Sequence, residues 1–237
     1  MRMKILGATV FTLLLSLPSL SQTSSTVHVF PQLVDGKTTG GFCYFSLLTV
    51  TNLSSSSSTC TLSPVGVPAN RFGLALTQTL ATNATLVNIT KGADALASGW
   101  ATLSCSQPVQ ASLMYAFLTP NGTIVSMATV FPAPPATYAN FPIVSGVGFR
   151  YAIAIANTGT TPISVTAYLT NSGGQTTNQT FQVPAASQYV HFIDELMTVP
   201  SAGGLNTFEL TSPTRFNVTA LLFSGSVFST LVPATLP

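Results

Sequence analysis

The chain holds five carboxylates, Asp35, Asp94, Asp194, Glu195 and Glu209, and two histidines, His28 and His191. Glycoside hydrolysis needs two carboxylates facing one another across a bond. Asp194 and Glu195 are adjacent in HFIDELM (191–197), a segment whose pattern predicts one or two helical turns stopped by Pro200. On a helix neighbouring side chains point about 100° apart, so these two do not flank a shared substrate. They read instead as a helix-start cluster that complements the macrodipole. Glu209 and Arg215 read as a pair across a turn. The sequence contains no Gly-x-Ser-x-Gly, no His-Glu-x-x-His and no Cys-x-x-Cys. His28 and His191 read as surface or packed imidazoles. The expectation is a non-catalytic protein with no metal and no cofactor.

Binding chemistry has a different set of carriers. Trp100, the single Trp, stands in SGWATLS (98–104) at a strand start. An exposed indole stacks on the apolar face of a sugar, and Tyr115 or Tyr138 would add platform area. Six Asn-x-Ser/Thr sequons lie at Asn52, Asn83, Asn88, Asn121, Asn178 and Asn217. Three cysteines, Cys43, Cys60 and Cys105, allow at most one intrachain disulfide.

The elements that must position these residues follow one plan written twice. With an offset of 105 residues, LLTVTN (47–52) meets AIAIAN (152–157), and STCTLSPVG (58–66) meets ISVTAYLTN (163–171). Pro108 then meets Pro213, each read as part of a turn before a half-buried strand. Phe30-Pro31 corresponds to Phe141-Pro142 after a gap near Lys37. Within each copy the apolar residues alternate with period 2, as in YAIAIAN, ASLMYAF and NVTALLF. Short alternating runs between Asn, Gly, Ser and Pro turns predict antiparallel strands in sandwiches. SSSSS (54–58) and NSGGQ (171–175) read as loops, and PNG (120–122) as a tight hairpin turn. ITKGADALAS (89–98) reads as the first copy's counterpart of the helical turn at 191–197. PAPPATY (132–138) reads as an extended linker. The predicted organisation is all-β: two tandem antiparallel Ig-like β-sandwich domains, 27–133 and 138–237, each with a short helical turn.

The repeat also bears on the cysteines. The offset lays Cys60 on Val165 and Cys105 on Leu210, both apolar, which places both thiols toward the core. Cys43 falls on Gly148 at a frayed strand start. Cys60–Cys105 is one pairing; Cys43–Cys105, with an immunoglobulin-like spacing, is the other. A domain of about 100 residues buries only roughly 60–65% of its unfolded surface, so a cross-link would help it.

Charged residues make up 5% of the chain, against roughly 25% in an average globular domain. Hydrophobic residues make up 46%, which excludes the low-hydrophobicity, high-charge signature of disorder. Outside the first residues, Lys37, Lys91, Arg71, Arg150 and Arg215 balance the five carboxylates. That leaves no cationic cluster for a nucleic acid and no field to steer a charged substrate. With so little Lys to guard them, sheet edges fall to the 16 Pro and 17 Gly, or to pairing with a neighbouring molecule or surface. The N-terminus, MRMKILGATVFTLLLSLPSLSQ, has a basic start, an apolar stretch and small residues Ser19 and Ser21. It reads as a signal peptide, 1–21, cleaved before Gln22, and the mature chain is expected to be exported with no transmembrane segment.

Taken together, Phe-Pro before an alternating strand that ends in Asn, VTAYLT, GWATLSCSQP, ALLF and a terminal Leu-Pro carry a resemblance. The chain resembles secreted tandem β-sandwich repeat proteins of soil bacteria, over nearly all of its expected mature length. The resemblance implies secretion and an Ig-like fold, and it supplies no activity or site residue. The three cysteines and the absence of a Trp at the first strand depart from that group. Two functions are expected from this reading. The first is a structural or adhesive extracellular module whose partner is a protein or glycan surface. The second is a carbohydrate-binding module.

Overall fold

Side chains that alternate between apolar and small or polar residues can hide one face of a strand while wetting the other. In the computed structural model, which describes residues 24–146, 148–200 and 203–237, that alternation becomes two antiparallel sheets. The expected signal peptide and its cleavage site lie outside the described residues. The first sheet contains β1 (Ser25–Lys37), β2 (Cys43–Asn52), β3 (Ser58–Val65), β4 (Thr77–Leu80), β5 (Thr85–Ile89), β6 (Ala97–Leu118) and β7 (Ile124–Val130). The second contains β8 (Ala136–Ser145), β9 (Phe149–Asn157), β10 (Ile163–Thr170), β11 (Thr176–Val183) and β12 (Ser187–Phe192). It is completed by β13 (Gly204–Ser224), β14 (Val227–Leu231) and β15 (Ala234–Leu236), with α1 (Ile193–Leu196) after β12.

One long strand organises each sheet. Residues 97–105 of β6 pair with β1 and β3, and residues 109–118 pair with β2 and β7. Because β1 also meets β2 at Gly36–Tyr44 and Lys37–Cys43, the first sheet curls nearly closed. Strand β13 repeats the arrangement: residues 204–211 pair with β8 and β10, and residues 217–224 with β9 and β14. The expected turns at Pro108 and Pro213 are therefore absent, since both prolines lie inside continuous strands. Each sits where its strand exchanges one set of partners for another, opposite a register shift in β1 or β8. A residue without an N–H is tolerated at such an interruption of the ladder.

The aligned motifs occupy matching strands: LLTVTN lies in β2 and AIAIAN in β9, STCTLSPV is β3 and ISVTAYLT lies in β10. Both strand-end asparagines are buried and make the same clasp. Asn52 Nδ2 donates to the carbonyls of Ser56, Leu80 and Ala81, and Asn157 Nδ2 to those of Thr161, Val183 and Pro184. Each also accepts a backbone N–H two residues on, at Ser54 or Gly159. An amide that closes a turn and ties two neighbouring segments explains why the alternating run ends in Asn in both places.

Two cores result. Phe30, Leu33, Val50, Leu103 and Val109 are among the most buried in the first, and Phe141, Ile153, Ile155, Phe208 and Leu210 in the second. Each such side chain contributes about 1.5–3 kcal/mol on leaving water. The first core is not confined to its own sheet. Phe228 of β14 is buried in it, with Leu221 and Phe223 of β13 packed against it. Ser126 Oγ donates to the Phe228 carbonyl at 3.2 Å and accepts its N–H at 3.0 Å.

The helical expectation holds in one half only. α1 forms at Ile193–Leu196, inside HFIDELM. Residues 89–98 hold no helix; a 3-10 turn stands instead at Ala69–Arg71. The loop after β5 is drawn into single bridges and hydrogen bonds around Lys37, Arg71 and Asp35, which an intact helix would forgo. Among the described residues no helix is long and apolar enough to cross a membrane.

Candidate functional site

Cys60 and Cys105 face one another across β3 and β6 and are joined by a disulfide, which leaves Cys43 free. The alternative Cys43–Cys105 pairing is thereby excluded: Cys43 pairs with Lys37 and Leu118 at the far end of β2. The second half's counterpart is only partly the expected one. Continuing the β10–β13 register one step past Thr166–Thr211 puts Val165 opposite Ser212, so Cys105 corresponds to Ser212 and not to Leu210.

The three rings expected to form a sugar platform do not come together. Trp100 is buried beside Val65, with its indole N–H unpartnered. Tyr115 is buried in the 109–118 stretch of β6, its hydroxyl donating to the Gln32 carbonyl. Burial raises its pKa well above the usual phenol value. Tyr138 lies on β8 of the other sheet, half-buried, donating to Glu209 Oε1 at 3.0 Å. Strand periodicity assigns a ring to a face but does not show whether that face is covered, and Trp100 is covered. A Cβ at Gly99 would stand 1.8 Å from the Val65 carbonyl oxygen, so only glycine permits that approach.

The charged groups divide into two unlike sets. Asp35 is fully buried and accepts from Arg71 Nη1 at 3.3 Å and from the Gly92 N–H at 2.8 Å. Arg71 Nη1 also donates to the carbonyls of Asp35 and Ala95. With Asp35 fully buried and Asp94 3.8 Å from Arg71 Nε, Arg71 acts as a structural tie between β1 and the loop before β6. In the sequence both residues are only members of a charge balance, because separation along the chain hides such a pair. The second set is exposed. Arg150 forms a fork onto Asp194, at 2.8 Å from both Nε and Nη2, and reaches Glu195 at 3.5 Å. These bonds hold the Asp194 carboxyl below its usual range and raise the Arg150 pKa. Glu195 caps α1 by accepting the Phe192 N–H, as a helix-start carboxylate should. Glu209 is bonded to Tyr138 and Asn140 within β8, and it shares the continuous strand β13 with Arg215 with no turn between them.

The histidines also separate. His28 is buried, and its Nε2 lies 3.0 Å from the carbonyls of Ser25 and Val109. Burial lowers its pKa, against the pull of those two carbonyls. His191 is half-exposed, 3.3 Å from Glu195. Near it lies a cleft of about 270 Å³ with Ala152, Ala154, Leu221 and Phe223 along its walls and Gln32 from the first half at its rim. Asp194 is committed to Arg150, so the carboxylates here do not form a free facing pair. Among the described residues no group of three or more His, Cys, Asp or Glu is placed to hold a metal ion.

An exposed apolar surface lies on the outer face of β5, β2, β6 and β7, with Ala116 buried between its larger neighbours. Cross-strand register sets Ile89, Leu47 and Met114 in one row, and Phe45, Ala116 and Met127 in the next, with Val87 beside Thr49. Val87, Ile89 and Met127 are 45%, 43% and 50% exposed, and no charged side chain stands in these rows. Alternation marks such residues as one face of a strand, but only the sheet register shows that they adjoin.

No family model and no curated protein matches the chain. A solved structure described as an "anti-sigma factor domain-containing protein" aligns over 87% of this chain and 81% of that chain. Its identity is 9% and its TM-score 0.20, a likeness too weak to support a conclusion about fold or function.

Proposed function

We propose that the chain is a secreted, non-catalytic module that builds or decorates an extracellular surface by protein contact. In this reading it is two Ig-like sandwiches in tandem, 27–133 and 138–237, of the kind exported by soil bacteria. The observation that carries it is the uncharged face around Val87, Ile89, Leu47, Met114 and Met127. Exposed contiguous apolar surface marks a contact site more often than a solvated one. The matched pairing of the long strands β6 and β13 supports the tandem reading, because each long strand serves two sets of partners that can stack as layers. Carbohydrate binding through Trp100 loses its support with the burial of that ring.

The test is retention of purified protein on sensor surfaces coated with the producing cell's envelope or with isolated glycans. Retention on envelope that falls when Val87→Lys and Ile89→Lys are introduced together is the expected result. Binding to glycan alone, unchanged by those substitutions, would contradict it. N-terminal sequencing of protein from the culture medium tests export, with Gln22 as the expected first residue.

A further inference from the structure

The contact between the halves uses a face that the first half also owns. In the second half, Ala152, Ala154, Leu221, Phe223 and Phe228 share the outer face of β9, β13 and β14. Phe228 seats that face on the first half, lying 6.4 Å from the Tyr44 ring and bonded to Ser126. Gln188 of β12 fastens the contact, donating to the carbonyls of Pro31 and Gly99 at 2.6 and 2.7 Å.

Register gives the first half's equivalents. Leu47 pairs with Met114 as Ala152 pairs with Leu221, and Phe45 with Ala116 as Arg150 with Phe223. Ala116 then pairs with Met127 as Phe223 pairs with Phe228. Met127 thus stands where Phe228 stands, yet it is 50% exposed while Phe228 is buried. The seat is repeated as well. Tyr44 and Ser126, which receive Phe228, correspond to Phe149 and Val227 of the second half. Both are apolar and exposed, at 40% and 54%. One chain therefore presents an unused copy of the docking face at one end and an unused copy of its seat at the other.

We propose that a second copy of this chain fills each: the Met127 face of one molecule docks on the Phe149–Val227 seat of the next. This deepens the reading of the chain as a surface-building module and rests on it. The contact is heterologous, so it joins molecules head to tail into an open chain or a closed ring. Neither the face rows nor these two seat residues carry a charge that would oppose it. The positions equivalent to Gln188 and Ser126 are Thr85 and Val227, so neither polar clasp is repeated and the contact between molecules is mainly apolar.

Sedimentation velocity on the full chain, in a Cys43→Ser background that excludes thiol cross-links, tests the proposal. The weight-average mass should rise with concentration beyond a dimer. Met127→Lys and Val227→Lys should each weaken association by about tenfold or more, since each places a charge in an apolar contact. Mixed together they should form a 1:1 complex that grows no further, because one keeps a good seat and the other a good face. Ile89→Lys and Phe149→Lys repeat the test should either first variant fail to fold. A monomer at every concentration, association that survives both substitutions, or a mixture that remains monomeric would overturn it. Surface retention is measured separately, so loss of self-association alone leaves the surface-contact reading standing.

Discussion

Where β3 faces β6 the first half places Cys60 against Cys105, and where β10 faces β13 the second half places Val165 against Ser212. The contrast extends through both halves. The first half buries the Asp35–Arg71 pair and borrows Phe228 for its core, whereas the second keeps Arg150 and Asp194 at the surface. Strand β9 is buried on both sides, through Ile153 and Ile155 on one and Ala152, Ala154 and Ala156 on the other. The matching β2 buries one side and leaves Phe45, Leu47 and Thr49 partly open. What the halves share is the alternation and the Asn clasp. The disulfide and buried ion pair are additions to that shared plan.

The largest effect expected from this contrast is at the cysteines. Cys60→Val with Cys105→Ser gives the first half the second half's pair, and it removes a cross-link spanning a sequence separation of 45. The chain-entropy estimate is a loss of about 4 kcal/mol, read from urea denaturation. An unchanged midpoint would show that the disulfide does not distinguish the halves. Next come the ion pairs. Asp35→Asn should cost about 2–3 kcal/mol by removing the fully buried partner of Arg71, which keeps only the exposed Asp94, 3.8 Å from its Nε. Asp194→Asn should cost less than about 1 kcal/mol, because its exposed pair is screened by solvent. Equal losses would erase the distinction.

The shared feature predicts equality instead. Asn52→Ala and Asn157→Ala should each cost about 2 kcal/mol, since each leaves several buried carbonyls without a donor. A twofold difference in thermal-denaturation ΔΔG would mean that the clasps are alike in geometry only. The smallest effect is at His28, which has no titrating counterpart at this place in the second half. Its folded pKa is lowered by burial, so the unfolded chain takes up a proton that the folded chain resists. Stability from this site is full above about pH 6.5 and declines as pH falls below it. His28→Gln should flatten that decline in urea midpoints measured on either side of about pH 6.5.

Much of the plan was legible in the residues. The alternation of YAIAIAN and the Asn that ends it predict a buried strand and a turn, and both are present. The offset of 105 holds through β2, β3, β9 and β10. It slips by two along β6 and β13, because the loops before them differ in length and gaps leave no trace in short degenerate motifs. Pro108 and Pro213 suggested turns because local propensity cannot see a long strand changing partners. The exposed-platform reading of Trp100 failed on a tertiary fact: packing buries that ring, which strand periodicity cannot show. The Asp35–Arg71 pair was invisible for the same reason, as its members stand 36 residues apart and meet only in the folded chain. Three sequon asparagines, Asn52, Asn88 and Asn217, are buried in the fold, while Asn83, Asn121 and Asn178 are exposed, a division composition cannot make.

The central claim is that the second half completes the core of the first. Hydrogen exchange followed by mass spectrometry on the full chain, with and without Phe228→Ala, tests it directly. The account predicts faster exchange in β7, β2 and residues 109–118 of β6, all in the half that does not contain the substituted residue, while β10 and β11 stay protected. Faster exchange confined to β13 and β14 would contradict it.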